Sequence, residues 1–438
     1  ALLAAAAALH ERPAIEYRDE YRLRKSVLEP CARAAWATPV WRAELEAFAQ
    51  ASPDLARYAA FRASAEHRRA GWLSWPAAQA GGDLEADRGV EGWEEARRFH
   101  LWAQHAMDLQ LGDLASEGGA GLYLDLPVGV NKGGFDTWAF RDVFVPGAAA
   151  GAPPDALFLG GQDWGLAPLH PDRLRASGYR HWIQVVRHHV RHARMLRVDH
   201  VMGLHRLYWV PAGVPATDGV YVRYAAEELY AVLCLEASRH ACALVGEDLG
   251  TVPDEVRPAM ARHGLERLYV AQFALPGASG QALAPPPAEA VASLNTHDTP
   301  TFAGYWRGDD IGDRVDLGLI TPEQAVDEHA ARHRTRHATL DWLAASGLAD
   351  AWHGGDASAA VGLAMRGLTT ALAASDAAMV QINLEDLWLE ERPQNVPGTS
   401  YERPNWRRPL ARTIDELVRD PDCEAVLRDV DRCRRTSD

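Results

Sequence analysis

"RMLRVDH" (194–200) is a short apolar run that breaks off at an acidic residue and a histidine, and the α/β reading of the chain starts from it. Successive side chains of a strand point to opposite faces, so Arg197 and Asp199 fall on the same face at the end of the run. Five more runs share this form: "GLYLDLP" (121–127), "CALVGED" (242–248), "RLYVAQF" (267–273), "AVASLNT" (290–296) and "AAMVQINLED" (377–386). Amphipathic stretches separate them. In "SGYRHWIQVVRHHVRHARM" (177–195), Trp182, Val185, Val186, His189, Val190 and Ala193 share one side, while Arg187, Arg191 and Arg194 point elsewhere. Strand and helix in alternation predict a parallel sheet or barrel, and in such folds the carboxyl ends of the strands line the site.

Outward from these runs the pattern changes. Residues 1–118 carry apolar positions at three and four spacings with few β-branched stretches, which predicts helices and connections without a buried strand. The Gly-, Pro- and Asp-rich stretch 129–178 reads as an ordered loop insertion. "TPEQ" opens a helix with Thr321 as cap, Pro322 in the first helical position and Gln324 three residues after the cap, and Gly347 closes it. No repeat of fixed period is visible. The 438 residues suit two or three average domains or one barrel of roughly 250 residues with insertions.

Composition excludes several classes. A net charge of −15 argues against a nucleic-acid partner, because phosphate binding wants a basic surface. No stretch approaches the roughly 18 apolar residues of a membrane span. The five cysteines, Cys31, Cys234, Cys242, Cys423 and Cys433, include no CxxC pair, which predicts neither a disulfide framework nor a zinc site and points to a reducing, cytoplasmic setting. The opening "ALLAAAAALHERP" lacks the basic segment of a signal peptide and begins without Met, so the expectation is a start inside a larger gene product, along an alanine-rich helix.

Three runs end near a carboxylate: Asp199 in "LRVDH", Glu247 in "VGEDLG" and Asp298 in "NTHDTP". A single acidic residue there is usually a cap or a strand end. Three together suit glycoside chemistry. A retaining mechanism needs a carboxylate nucleophile and a protonated carboxyl acid roughly 5 to 5.5 Å apart, and a third carboxylate can favour the positively charged transition state. Arg197, on the face of Asp199, would keep a nucleophile ionised. His188 and His192 stand four apart on a helix, but no carboxylate is evident to complete a metal set, so they read as a solvated basic face. "GGDLEADRGVEGWEE" (81–95) lacks calcium-loop spacing, and the glycine pairs at 133–134 and 160–161 fit no phosphate-binding pattern. No metal and no cofactor is expected.

"LRVDHVMGLHRLYWVP", "GEDLG", "NTHDTPTFAGYW" and the upstream "GAPPDALFLGGQDWG" closely resemble, in the family's order and at similar spacing, the amylomaltases, or 4-alpha-glucanotransferases, of the alpha-amylase clan. The resemblance runs from about Tyr17 to the C-terminus. It implies a (β/α)8 TIM-type barrel with helical and loop insertions, Asp199 as nucleophile, Glu247 as acid/base and Asp298 as transition-state stabiliser. It further implies sugar contacts from Arg197, His200 and His297, and makes Asp125 in "LDLPVGV" the matching position on an earlier strand. Trp164, between Gly161 and Gly165 in a turn-rich loop, becomes an acceptor-side stacking platform, since sugar rings present an apolar face. Asn395 and Pro397 in "QNVPGTSYERPNWRRPL" (394–410) would lie near the sugar, with Asn405 and Trp406 structural.

The family normally begins with two further strands. The six runs then correspond to strands three to eight, and the expectation is a barrel lacking its first two strands, with residues 1–118 a helical insertion subdomain with lead-in helices and 119–438 the barrel part, including the loop insertion and C-terminal helices. The implied activity is transfer of α-1,4-glucan segments between maltooligosaccharides, or starch- or glycogen-derived glucans, and an acceptor 4-hydroxyl. An α-glucan hydrolase of the same clan and an inactive glucan-binding fragment stay open as alternatives.

Overall fold

The computed structural model describes residues 2–116, 121–155, 158–276 and 283–436. The chain divides into two compact units: 1–11, 16–155 and 160–259 form the first, and 12–15, 156–159 and 260–438 the second.

The first unit begins with helices. Tyr17–Ala37, Pro39–Ala51, Pro53–Arg68 and Trp93–Ser116 are the long ones, and Pro39 and Pro53 each open a helix where a missing N–H costs nothing. Ala35, Leu45, Ala59 and Leu101, all nearly inaccessible, form their common core. Small alanines at two of these four positions allow close helix approach.

Eight strands follow in chain order: β1 (Tyr123–Leu126), β2 (Val130–Asn131), β3 (Ala148–Ala152), β4 (Gln162–Ala167), β5 (Met195–Val198), β6 (Arg206–Pro211), β7 (Val220–Arg223) and β8 (Ala243–Gly246). β1, β5 and β8 pair in parallel, with Asp125, Arg197 and Val245 in register. All four residues of β5 are buried, as a strand covered on both faces requires. The helix Arg180–Val190 leads into β5 and buries His181, Val186 and Val190.

β2, β4, β3, β6 and β7 form a second, antiparallel sheet in that order. This corrects a sequence expectation: the stretch 129–178 is not only a loop insertion, since it supplies β2, β3 and β4 to this sheet, and "RLYWVP" (206–211) adds β6. Between β3 and β4 the register shifts. Ala150 faces Leu166 but Gly151 already faces Asp163, which leaves Trp164 and Gly165 without a partner across the ladder. Gly151 permits this approach, since a Cβ there would lie 2.0 Å from the Gln162 carbonyl oxygen.

The second unit carries β9 (Leu265–Val270), β10 (Ala290–Ser293) and β11 (Met379–Gln381), parallel, with β10 in the middle. β10, sequence AVAS, is wholly buried. Its core gathers Phe302, Trp306, Leu340, Leu343, Leu368 and Leu372 from three helices. Trp306 is fully buried and its indole N–H donates to the Ala357 carbonyl at 3.0 Å, so the aromatic bulk enters the core without an unsatisfied donor. The helix Pro322–Ala345 forms the expected capping box, with Thr321 and Gln324 exchanging bonds of 2.8 and 3.2 Å.

The six runs expected as strands thus contain β1, β5, β8, β9, β10 and β11, and the parallel sheet with helices is of the α/β, TIM type. The runs overshoot at two ends: Ala271–Ala274 and Leu384–Leu387 are short helices.

Candidate active site

In the first unit, three adjacent parallel strands end side by side. Arg197 on β5 is buried, 7% exposed, and its Nη1 donates to both carboxylate oxygens of Asp125 on β1 at 2.7 Å. Its Nη2 lies 2.9 Å from Oδ1 of Asp199, just past the end of β5. Burial works against the guanidinium charge, but Asp199 and Asp125 more than offset it, and the pKa of Arg197 is raised. Asp199 therefore sits against a permanent cation. The register of β1 and β5 continues past the strand end, where the Asp199 N–H donates to the Leu126 carbonyl at 3.0 Å.

Glu247 follows β8 and its N–H donates to the Val198 carbonyl at 3.0 Å. One side-chain oxygen accepts from the backbone N–H of Leu249 at 2.8 Å, the other from that of His200 at 3.0 Å. Burial pushes its carboxyl up to about 7, with the negative charge of Asp199 adding to the rise and the Leu249 N–H, Arg197 and the His200 N–H opposing it. Two neighbouring carboxylates thus hold opposite settings: one pressed on an arginine, one poised to carry a proton at neutral pH.

His200 links them. It adopts the left-handed conformation, φ 46° and ψ 61°, uncommon for a residue with a Cβ. The turn brings its own N–H onto Glu247 Oε2 and the next N–H, of Val201, onto the Glu247 carbonyl at 3.1 Å. Burial lowers its imidazole to about 4, which keeps it neutral. Trp164 packs edge-on against this ring, centroids 5.2 Å apart. Sequence reasoning placed Trp164 in a turn-rich loop; it stands instead on β4, at the register shift, with Gly165 at φ 69° and its N–H on Asp163 Oδ1.

In the second unit, Asp298 lies in the connection between β10 and the helix Phe302–Arg307. Asn395 Nδ2 donates to its Oδ1 at 2.8 Å, and His297 Nε2 is 3.2 Å from its Oδ2. Thr296 Oγ1 accepts the Asp298 N–H at 3.3 Å. Pro397 is half-buried, two residues beyond Asn395. Asn405, expected to be structural, accepts from the Val396 N–H at 3.0 Å and donates to Thr399 Oγ1 at 2.8 Å. Trp406, the other residue expected to be structural, lies beside the site. It is 48% exposed and its ring meets that of His297 at 5.6 Å.

The structure therefore brings together Asp125, Arg197, Asp199, His200, Glu247 and Trp164 in the first unit, and His297, Asp298 and Asn395 in the second. Sequence reasoning missed Tyr123, two residues before Asp125 on β1, whose buried hydroxyl has no hydrogen-bond partner among the described residues and is pushed up to about 12 by burial. Alternation with Asp125 was the signal that could have found it. The backbone donors on Glu247 left no trace in residue identity.

The basic helix also needs correction. A carboxylate does meet it: His192 Nε2 lies 3.1 Å from Asp108 Oδ1, which Arg191 also pairs. The face is partnered rather than simply solvated. Among the described residues no group of three or more His, Cys, Asp or Glu could hold a metal ion, and no helix is long and apolar enough to cross a membrane.

Comparison with known proteins identifies relatives of the chain. A family profile described as 4-alpha-glucanotransferase matches residues 1–414. The 4-alpha-glucanotransferase of Mycobacterium tuberculosis is 37% identical over 365 residues, covering 81% of this chain and 50% of the relative. That of Haemophilus influenzae is 34% identical over 363 residues, covering 80% and 51%. The chain thus spans about half the length of the curated relatives it matches. The crystal structure of amylomaltase from Corynebacterium glutamicum superposes with a TM-score of 0.82 at 29% identity, covering 95% of this chain and 60% of that one. Carboxylates at successive parallel strand ends, a profile match over nearly the whole chain and these relatives lead to one conclusion: the chain belongs to the 4-alpha-glucanotransferase family.

Proposed function

We propose that this chain carries the chemistry of a 4-alpha-glucanotransferase acting by retaining double displacement. Asp199 attacks the anomeric carbon of an α-1,4-glucan while Glu247 gives its proton to the departing 4-oxygen, leaving a glycosyl ester on Asp199 and an ionised Glu247. The acceptor's 4-hydroxyl then gives its proton to Glu247 and displaces Asp199. Asp298 is the third carboxylate of the reaction, stabilising the oxocarbenium-like transition state, a role that rests on its family motif. Arg197, His200 and His297 serve as sugar contacts, with Asn395 and Pro397 near the sugar. Asp125 holds the Arg197 guanidinium.

The observation that carries the reading is the pair of opposite settings at neighbouring strand ends: Arg197 2.9 Å from Asp199, and Glu247 raised to about 7. Donors are maltooligosaccharides or starch- and glycogen-derived glucans. Residues 1–118 act as a helical subdomain beside the barrel part, and five free thiols suit a reducing, cytoplasmic setting. Incubation with maltotriose is expected to give a ladder of longer and shorter oligosaccharides. Glucose and maltose alone would make the protein a hydrolase, and unchanged maltotriose a binding protein.

Transfer outruns hydrolysis only when an oriented acceptor outcompetes water. Trp164 is the stacking platform for that acceptor. A stacked ring contributes on the order of 1 kcal/mol, so Trp164→Ala should lower the ratio of transfer to hydrolysis roughly fivefold while donor cleavage changes less. Product analysis of maltotriose digests measures this ratio, and an unchanged one removes Trp164 from the acceptor side.

A further inference from the structure

We propose that Asp386 is the positioning residue for Asp298: a buried carboxylate that staples together both ends of the loop 295–302. The inference rests on the reading of Asp298 as the third catalytic carboxylate. Asp386 is 3% exposed and lies in the short helix Leu384–Leu387 that follows β11. Asn295, just past β10, donates from Nδ2 to both of its oxygens, at 2.9 and 3.1 Å. The backbone N–H of Phe302, at the far end of the loop, donates to its Oδ1 at 3.2 Å. Burial pushes its carboxyl up to about 6, the Asn295 amide and the Phe302 N–H opposing the rise, so at neutral pH the group is an anion whose oxygens accept these bonds.

The loop is held at other points as well. Asn383 Nδ2 donates to the Asn295 carbonyl at 3.1 Å and also contacts Asn295 Oδ1, while Asn395 grips Asp298 itself. Gln272 Nε2 donates to the Pro300 carbonyl at 3.0 Å. Inside the loop, Thr296 and Thr299 close a tight turn on each other. Asp298, 43% exposed at its side chain, thus projects from a loop whose two feet share one buried anion. A carboxylate that must meet a developing charge within a fraction of an ångström needs such support, and misplacement by about 1 Å can cost on the order of 100-fold in rate.

The test uses the full chain and four variants. In Asp386→Asn, one donor to the former carboxylate faces an amide NH2 group. We expect kcat for maltotriose transfer to fall roughly 10- to 100-fold with KM within about threefold, and amide hydrogen exchange across 295–302 to accelerate. The exchanged pair Asn295→Asp with Asp386→Asn keeps one carboxylate in the pair and restores the links of residue 386 to residue 295 and to Phe302 in the opposite sense. The new amide at 386 accepts from Phe302 and donates to the carboxylate at 295, which still accepts from Asn383. This double variant should recover kcat to within about fivefold and bring exchange back. In an Asp298→Asn background, adding Asp386→Asn should lower residual turnover no further.

A merely structural role gives a different pattern. Equal losses with and without Asp298, or failure of the exchanged pair to recover kcat although exchange has returned to normal, would overturn the proposal. So would wild-type kcat in Asp386→Asn. Where the single variant does not fold, the exchanged pair and the Asp298 background carry the same decision. Wild-type kcat in Asp298→Asn alone would instead sink the catalytic reading of Asp298, and the exchange rates would then report separately whether Asp386 orders the loop.

Discussion

Asp199→Asn is expected to cut glucan transfer by a factor on the order of 10⁴ or more while leaving maltooligosaccharide binding within a few-fold of the parent. The amide keeps the shape of the side chain but cannot form the glycosyl ester. Arg197 retains Asp125 as a partner, so the guanidinium is not left buried without a counter-charge and the fold should survive. Calorimetric titration with maltotetraose checks binding, and product analysis checks turnover. The substitution has a second, independent readout. The Asp199 charge helps to raise Glu247, so its removal should bring the Glu247 carboxyl below about 7 in a carbon-detected NMR titration. Retained transfer would remove Asp199 from the nucleophile role whatever Glu247 does.

Glu247→Gln should cost roughly 10² to 10⁴ in kcat with a natural glucan, the ordinary worth of a general acid and base. The loss should shrink for the first step with α-glucosyl fluoride, whose leaving group needs no proton, and a covalent glycosyl-enzyme should then accumulate because the acceptor has lost its base. Mass spectrometry of the intact protein would detect it. In the parent protein the acid must be protonated in the free enzyme, so kcat/KM should fall as pH rises through about 7. A profile flat to pH 9 would exclude Glu247 as that acid. Because Leu249 and His200 each donate to one of the Glu247 oxygens, the Gln variant points its NH2 group at one N–H, and its melting temperature needs to be measured alongside.

The parallel strands were legible because burial on both faces forces short apolar runs, and the positions where those runs stop are strand ends by the same logic. Arg197 and Asp199 could be placed on one face from alternation alone, and their ion pair follows from that placement. The capping box at Thr321 was legible because both of its bonds are local. The antiparallel sheet was not. β2 is two residues long, β3 is built of alanine and glycine, which favour strands poorly, and β3 finds β6 nearly sixty residues away. The same holds for the site. Residue types announced the carboxylates, whereas the proton-poising of Glu247 comes from burial and two backbone donors, and the hold on Asp298 from asparagines 97 and 91 positions distant from their partners.

The shift between β3 and β4 gives this site an adjustable part. Trp164 is one of the two residues with no partner in the ladder, and its indole N–H donates to Gln162 Oε1 at 3.4 Å. A strand reverses its facing with every residue, so deleting or inserting one residue between Gln162 and Ala167 would turn the indole away from His200 without touching any acid. Under the proposed acceptor-side role of Trp164, a one-residue indel here is expected to lower the ratio of transfer to hydrolysis at least as much as Trp164→Ala, which product analysis of maltotriose digests would show.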